Sequence, residues 1–140
     1  MNDQEGQAQA AIRALSGLDA RHKSFMAHIA SEADLAINGG SVTTDGNTLQ
    51  ATALGIGCVA KRRPVAVDGI PVANEYTFIT SFEGDDLPVW RLYLDQSGNL
   101  YEDSAFATQF SDYNNADVRS NIVLALANKL LKSTVFTPKE

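Results

Sequence analysis

His22 and His28 are the two histidines of the chain and lie six residues apart. On a helix that spacing turns them about 240° from each other, whereas two ligands of one metal ion need a spacing of three or four. No shared metal is expected. His22 falls on an apolar stripe, which makes it the one candidate for acid–base catalysis, although a histidine satisfied within the core is the plainer expectation. His28 falls to the solvent side. Cys58 is the single cysteine, so neither an intrachain disulfide nor a multi-cysteine metal site can form, and it reads as an inert core thiol.

Two further motifs fail on context. Gly55-Ile56-Gly57-Cys58-Val59-Ala60 has the spacing of a relaxed dinucleotide fingerprint, with Glu75 near the place of the ribose acid. Those glycines serve a pyrophosphate only when they open a helix. Pro64 and the strand-like Val65 to Val67 leave no room for one, so no cofactor is expected. Asp95-Gln96-Ser97-Gly98-Asn99 differs from a calcium loop, because glycine stands fourth rather than sixth and no glutamate stands twelfth. A hairpin turn accounts for it.

Charge is segregated along the chain. Net charge is −6, and between Glu75 and Asp117 nine carboxylates face one base, Arg91. Such a surface repels nucleic-acid phosphates and anionic lipid and attracts a basic protein face. Glu83, Asp85 and Asp86 crowd one turn and form the centre of the expected partner surface. The triplet Lys61-Arg62-Arg63 is too short and isolated for a nucleic-acid footprint. No apolar run approaches the ~20 residues that span a bilayer, and Met1 to Asp19 lacks the pattern of a signal peptide. A soluble, cytoplasmic protein is expected.

The elements that must position these residues follow from periodicity. Gln4 to Leu15 reads as a weakly amphipathic helix. Ser16-Gly17-Leu18-Asp19 matches a capping box, so a second helix is expected from Ser16 to Ile37, with Leu18, His22, Phe25, Ile29, Ala33 and Ala36 inward and Asn38-Gly39-Gly40 as its stop. One unbroken rod would run about 50 Å, long for a domain whose radius of gyration is about 14 Å. A break near Ser16, or an arm projecting toward a partner, is therefore expected.

From Ser41 to Asp103 the period becomes two, with turn residues at Asp45-Gly46, Asp68-Gly69, Glu83-Gly84-Asp85 and Gln96-Ser97-Gly98. Tyr76, Phe78 and Phe82 share one strand face, and Trp90, Leu92 and Leu94 another. Thr48 to Ala60 reads as a strand bulged at Gly55 and Gly57. Pro64 and Pro71 place the hairpin around Asp68-Gly69 at an edge. A polar connection then leads to a helix from about Ala116 to Lys132 and an extended tail.

The run Trp90 to Glu102, an aromatic strand ending in Asp-x-x-Gly before a second strand, is similar to the closing hairpin of NTF2-like proteins. The resemblance implies a cone-shaped pocket. A helix after the last strand departs from that family's ending, and its catalytic acid and tyrosine pairs have no match here.

These readings give an α+β fold: an antiparallel meander of four to five strands packed against an N-terminal and a C-terminal helix. Residues 1–15 are expected to be a helical arm, 16–132 the domain and 133–140 a tail. The expected function is non-enzymatic binding of a protein partner, as an inhibitor, immunity-type or adaptor module. Its contact residues would be Glu83, Asp85 and Asp86, with Ile79, Val89, Arg91 and Tyr93 on the sheet face turned from the helices, a mixed face that also suits a homodimer. The alternative is a small-molecule binder or cofactor-free enzyme with a pocket between sheet and helix, lined by Phe25, Tyr76, Phe78, Trp90 and Tyr93, with His22 as its proton-transfer group.

Overall fold

A computed structural model of the chain describes residues 3–31 and 39–138. Helix α1 (Asp3–Ser31) leads into β1 (Ser41–Thr44), β2 (Leu49–Ala53), β3 (Ile56–Val67), β4 (Ile70–Phe82), β5 (Asp85–Asp95), β6 (Asn99–Tyr101) and β7 (Gln109–Asp112), and α2 (Val118–Leu131) closes the chain. The strands form one antiparallel sheet whose spatial order is the chain order. The α+β class and the antiparallel meander with a helix at each end are as the periodicity predicts. Seven strands replace the expected four to five.

The additional strands come from short segments with weak alternation. Leu54 and Gly55, at φ 54° and 77°, make a two-residue turn, so Thr48 to Ala60 is a hairpin and not one bulged strand. Asp68-Gly69 and Glu83-Gly84 repeat the pattern of two positive φ values, which matches the right-handed twist of the flanking strands. The segment read as a polar connection contains β7, paired to β6.

Both helices cover one sheet face. Phe25, Met26 and Ile29 of α1 and Ile122, Leu126 and Leu130 of α2 belong to one core cluster with Tyr76, Phe78, Trp90, Leu92 and Leu94. The expected parity of β4 and β5 is observed, and a bulge is what permits it. From the Glu83-Gly84 turn, Phe82 pairs with Asp85 and Ile79 with Pro88, but Phe78 pairs with Trp90. The extra residue, Val89, lets Phe78 and Trp90 face the helices together, their rings stacked at 5.3 Å. Pro88 beside it fits the habit of proline to sit at bulges.

Helix α1 runs through Ser16 without a break, so the capping-box residues there do not start a helix. Its 29 residues span about 43 Å at 1.5 Å per residue. Gly17 lowers helix propensity by about 1 kcal/mol against alanine, yet a Cβ at this position would collide with the Gln96 side chain. The collision is with the far end of an exposed, flexible side chain, so the helix passes close to the β5–β6 turn here without that contact demanding a glycine. Burial begins at Leu18, while Ile12 and Leu15 are 63% and 42% exposed. The expected helix stripe at Ala33 and Ala36, and the stop at Asn38, lie outside the described residues. After α2, residues 133–137 wind into turns rather than extending, with Thr137 Oγ1 donating to the Ser133 carbonyl and Val135 packed on the core.

Candidate functional site

The acidic residues singled out by sequence sit at the tip of the β4–β5 hairpin. Glu83, Asp85 and Asp86 are exposed, and with Phe82, Leu87, Thr134, Thr137 and Pro138 they border a cleft of about 390 Å³. The tight turn throws the three carboxylates outward. The end of α2 folds back toward them through the 133–137 turns. The result is an apolar floor with an acidic rim. Asp86 reaches Lys61 Nζ at 4.0 Å, both ends largely exposed, a geometry worth little in water.

Charge segregation in sequence becomes a narrower segregation in space. Glu75 lies on the face turned from the helices but is 6% exposed. It accepts from Arg63 Nε at 2.8 Å and from the Tyr93 hydroxyl at 3.0 Å. Burial works against the charged carboxyl, but these two hydrogen bonds outweigh it and hold the group below its ordinary range. Asp103 accepts from the amides of Ala107 and Thr108, and Asp95 from that of Asn99. These carboxylates build turns and, at Glu75, a buried bond with Tyr93 beside an exposed Arg63.

Of the four other residues expected at the partner surface, Arg91 is exposed and Ile79 and Val89 are half-buried. Tyr93 is buried beneath Phe106, whose ring meets it edge-on at 6.0 Å. The loop between β6 and β7 therefore covers part of this face. Arg63 and its pairing with Glu75 escaped the sequence reading. Counting back from the Asp68-Gly69 turn sets Arg62 opposite Glu75, and the irregularity at Val65/Ala66 moves Arg63 there instead.

His22 is 1% exposed. Its Nε2 lies 2.7 Å from the Asn47 carbonyl oxygen, which can only accept, so Nε2 carries the proton. Nδ1 then accepts from the Tyr76 hydroxyl, also at 2.7 Å. Burial lowers the histidine's pKa and raises that of Tyr76, so both are neutral near pH 7. Beside them, Asn74 donates to the Leu18 carbonyl at 2.8 Å and accepts from Arg62 Nε at 3.0 Å, and Arg62 also reaches Asp19 at 3.5 Å. This network fastens α1 to the sheet. A cleft of about 430 Å³ borders His22, Asn47 and Arg62, but both ring nitrogens are engaged.

The five aromatic residues expected around one pocket do not surround a common space. Phe25 packs edge-on against Tyr76 at 5.7 Å, Phe78 stacks on Trp90, and Tyr93 belongs to the opposite face. Trp90 Nε1 is a buried donor with no acceptor among the described residues. Cys58 is buried and its thiol is pushed up by that burial. Gly55 and Gly57 lie in and after a hairpin turn, with a strand rather than a helix following. Among the described residues no group of three or more His, Cys, Asp or Glu could hold a metal ion, and no helix is long and apolar enough to cross a membrane.

No family model matches the chain, nor does any curated protein or any solved structure. The likeness of Trp90 to Glu102 to an NTF2-like hairpin stays a likeness of thirteen residues.

Proposed function

We propose that this protein is a non-enzymatic binding module, of inhibitor, immunity or adaptor type, that docks a basic protein partner through the acidic end of the β4–β5 hairpin. The observation that carries this reading is the cleft at Glu83, Asp85 and Asp86. It sets exposed carboxylates around Phe82, Leu87 and Pro138. An apolar centre with a charged rim is the anatomy of a protein interface: the centre supplies affinity, and the rim supplies steering and discrimination. A lysine or arginine side chain suits such a cleft, its stem on the apolar floor and its head among the carboxylates. A cytoplasmic setting accords with the single thiol.

The small-molecule reading has less to rest on, since the aromatic side chains proposed to line the pocket pack against one another and His22 has no free nitrogen. The test is a pull-down from the native host followed by association kinetics on the partner recovered. Glu83→Lys, Asp85→Lys and Asp86→Lys together should slow association at low ionic strength, where screening is least, and leave the fold unchanged. Wild-type association by the triple variant, or association indifferent to salt, would overturn the reading.

A further inference from the structure

Strand β5 has eleven residues, but β6 pairs with it only at Tyr93 and Leu94. From Asp85 to Leu92 the strand is paired on its β4 side and has no strand partner on the other among the described residues. The chain leaves that lane after Tyr101, where the loop built on Asp103 turns away to place Phe106 against Tyr93. A cleft of about 300 Å³ occupies the lane, bordered by Pro88, Val89, Trp90 and Arg91, with Ser104 and Lys129 among its other walls. Side chains alternate between the faces of a strand, so a cleft bordered by four consecutive residues follows the strand's edge. The acidic cleft takes up the three residues before them, Asp85 to Leu87.

We infer that the free edge of β5 is a strand-addition groove, in which an extended segment of the partner lies antiparallel to β5 and continues the lane of β6. The inference rests on the protein-binding reading above and gives its mode. Main-chain hydrogen bonds to β5 supply affinity, and the ends of the groove supply register. A segment running in the direction of β6 meets Arg91 and Lys129 first, two cations against the one carboxylate of Glu102 on the same wall, and Glu83, Asp85 and Asp86 last. It therefore carries a carboxylate early and lysine or arginine late. Pro88 and the bulge at Val89 keep the edge from pairing with any passing strand, because a partner must accommodate a missing donor and an extra residue. The indole Nε1 of Trp90, without an acceptor among the described residues, belongs to a residue of the same wall.

The probe is a capped decapeptide of alternating valine and threonine with glutamate at its N-terminus and two lysines at its C-terminus. It is compared with a peptide of exchanged end charges and with one N-methylated at alternate residues. Calorimetry should show binding weakened about tenfold or more, 1.4 kcal/mol, by either change, and hydrogen exchange should slow at the edge-facing amides among Asp86, Leu87, Val89, Trp90 and Arg91, Pro88 between them having none. Ser104→Trp, which fills the lane from an exposed position, should weaken binding as much, and Lys129→Glu should narrow the preference between the two charge patterns, the late carboxylates being unchanged. Undiminished binding of the N-methylated peptide, or full binding by both variants, overturns strand addition. The acidic-rim reading survives that result if the triple lysine variant still weakens binding, and fails alone if only the triple variant is without effect. No binding of any peptide at millimolar concentration overturns the inference, as does a homodimer whose β5 edge is already protected without peptide.

Discussion

Trp90 and Arg91 are neighbours in sequence with opposite environments: Trp90 is 5% exposed between Phe78 and Phe110, and Arg91 lies open on the other face. Trp90→Ala should lower unfolding free energy by about 3 to 5 kcal/mol through lost burial and an unfilled cavity. Arg91→Ala should lower it by less than about 1 kcal/mol. Urea unfolding of the two variants measures the contrast, and equal small losses would contradict the assigned faces. His22 gives a pH prediction. Its folded pKa is depressed by burial below the ordinary value of 6.5, so the unfolded chain binds more protons in the window below that value. Stability is then complete above about pH 6.5 and declines as pH falls through the window. His22→Gln should start from a lower stability and lack that decline between pH 7 and 5.5. A decline of unchanged size in the variant would assign it to another group.

Helix α1 has two halves with different duties. From Leu18 onward it is held by burial and by the bonds from Asn74 to the Leu18 carbonyl, from His22 to Asn47 and from Arg21 to the Gln96 carbonyl. Between residues 5 and 17 no side chain is buried. Removal of residues 1–15 should therefore leave a folded protein with its near-UV dichroism intact and a midpoint in urea close to that of the full chain, because little apolar area leaves contact with the core. Loss of the near-UV signal would mean that the exposed half supports the sheet. The length of an unbroken rod and the local signal of the capping box lead to the expectation of a break near Ser16 or of a projecting arm. In the fold, helical hydrogen bonds continue through Ser16 and Gly17 where the segment passes Gln96, and continuation into a well-anchored half outweighs a weak local propensity.

At the scale of the molecule, charge and stability are separable. Glu83, Asp85 and Asp86 occupy an exposed turn, so their joint reversal to lysine should change unfolding free energy by no more than about 1 kcal/mol. The same substitution should reverse the salt dependence of association with a basic partner, measured as on-rate against ionic strength. A large loss of stability would make the turn a structural element and not a docking one. The fold class, the two helices and the inward faces of β4 and β5 were legible in the sequence. Alternation at i, i+2 and the demand for positive φ at Asp68-Gly69 and Glu83-Gly84 are local constraints, written where they act. The bulge at Val89, the shift that sets Arg63 opposite Glu75, the cover of Tyr93 by Phe106 and the free edge of β5 were not legible. Each depends on which distant segment comes alongside and in what register, and a one-residue shift in pairing changes partners without changing composition. Sequence by itself determined the core-facing parity of β4 and β5 and which carboxylates are adjacent. Tertiary structure alone decided which of those carboxylates remain on the surface, because burial and pairing are settled between segments and not within them.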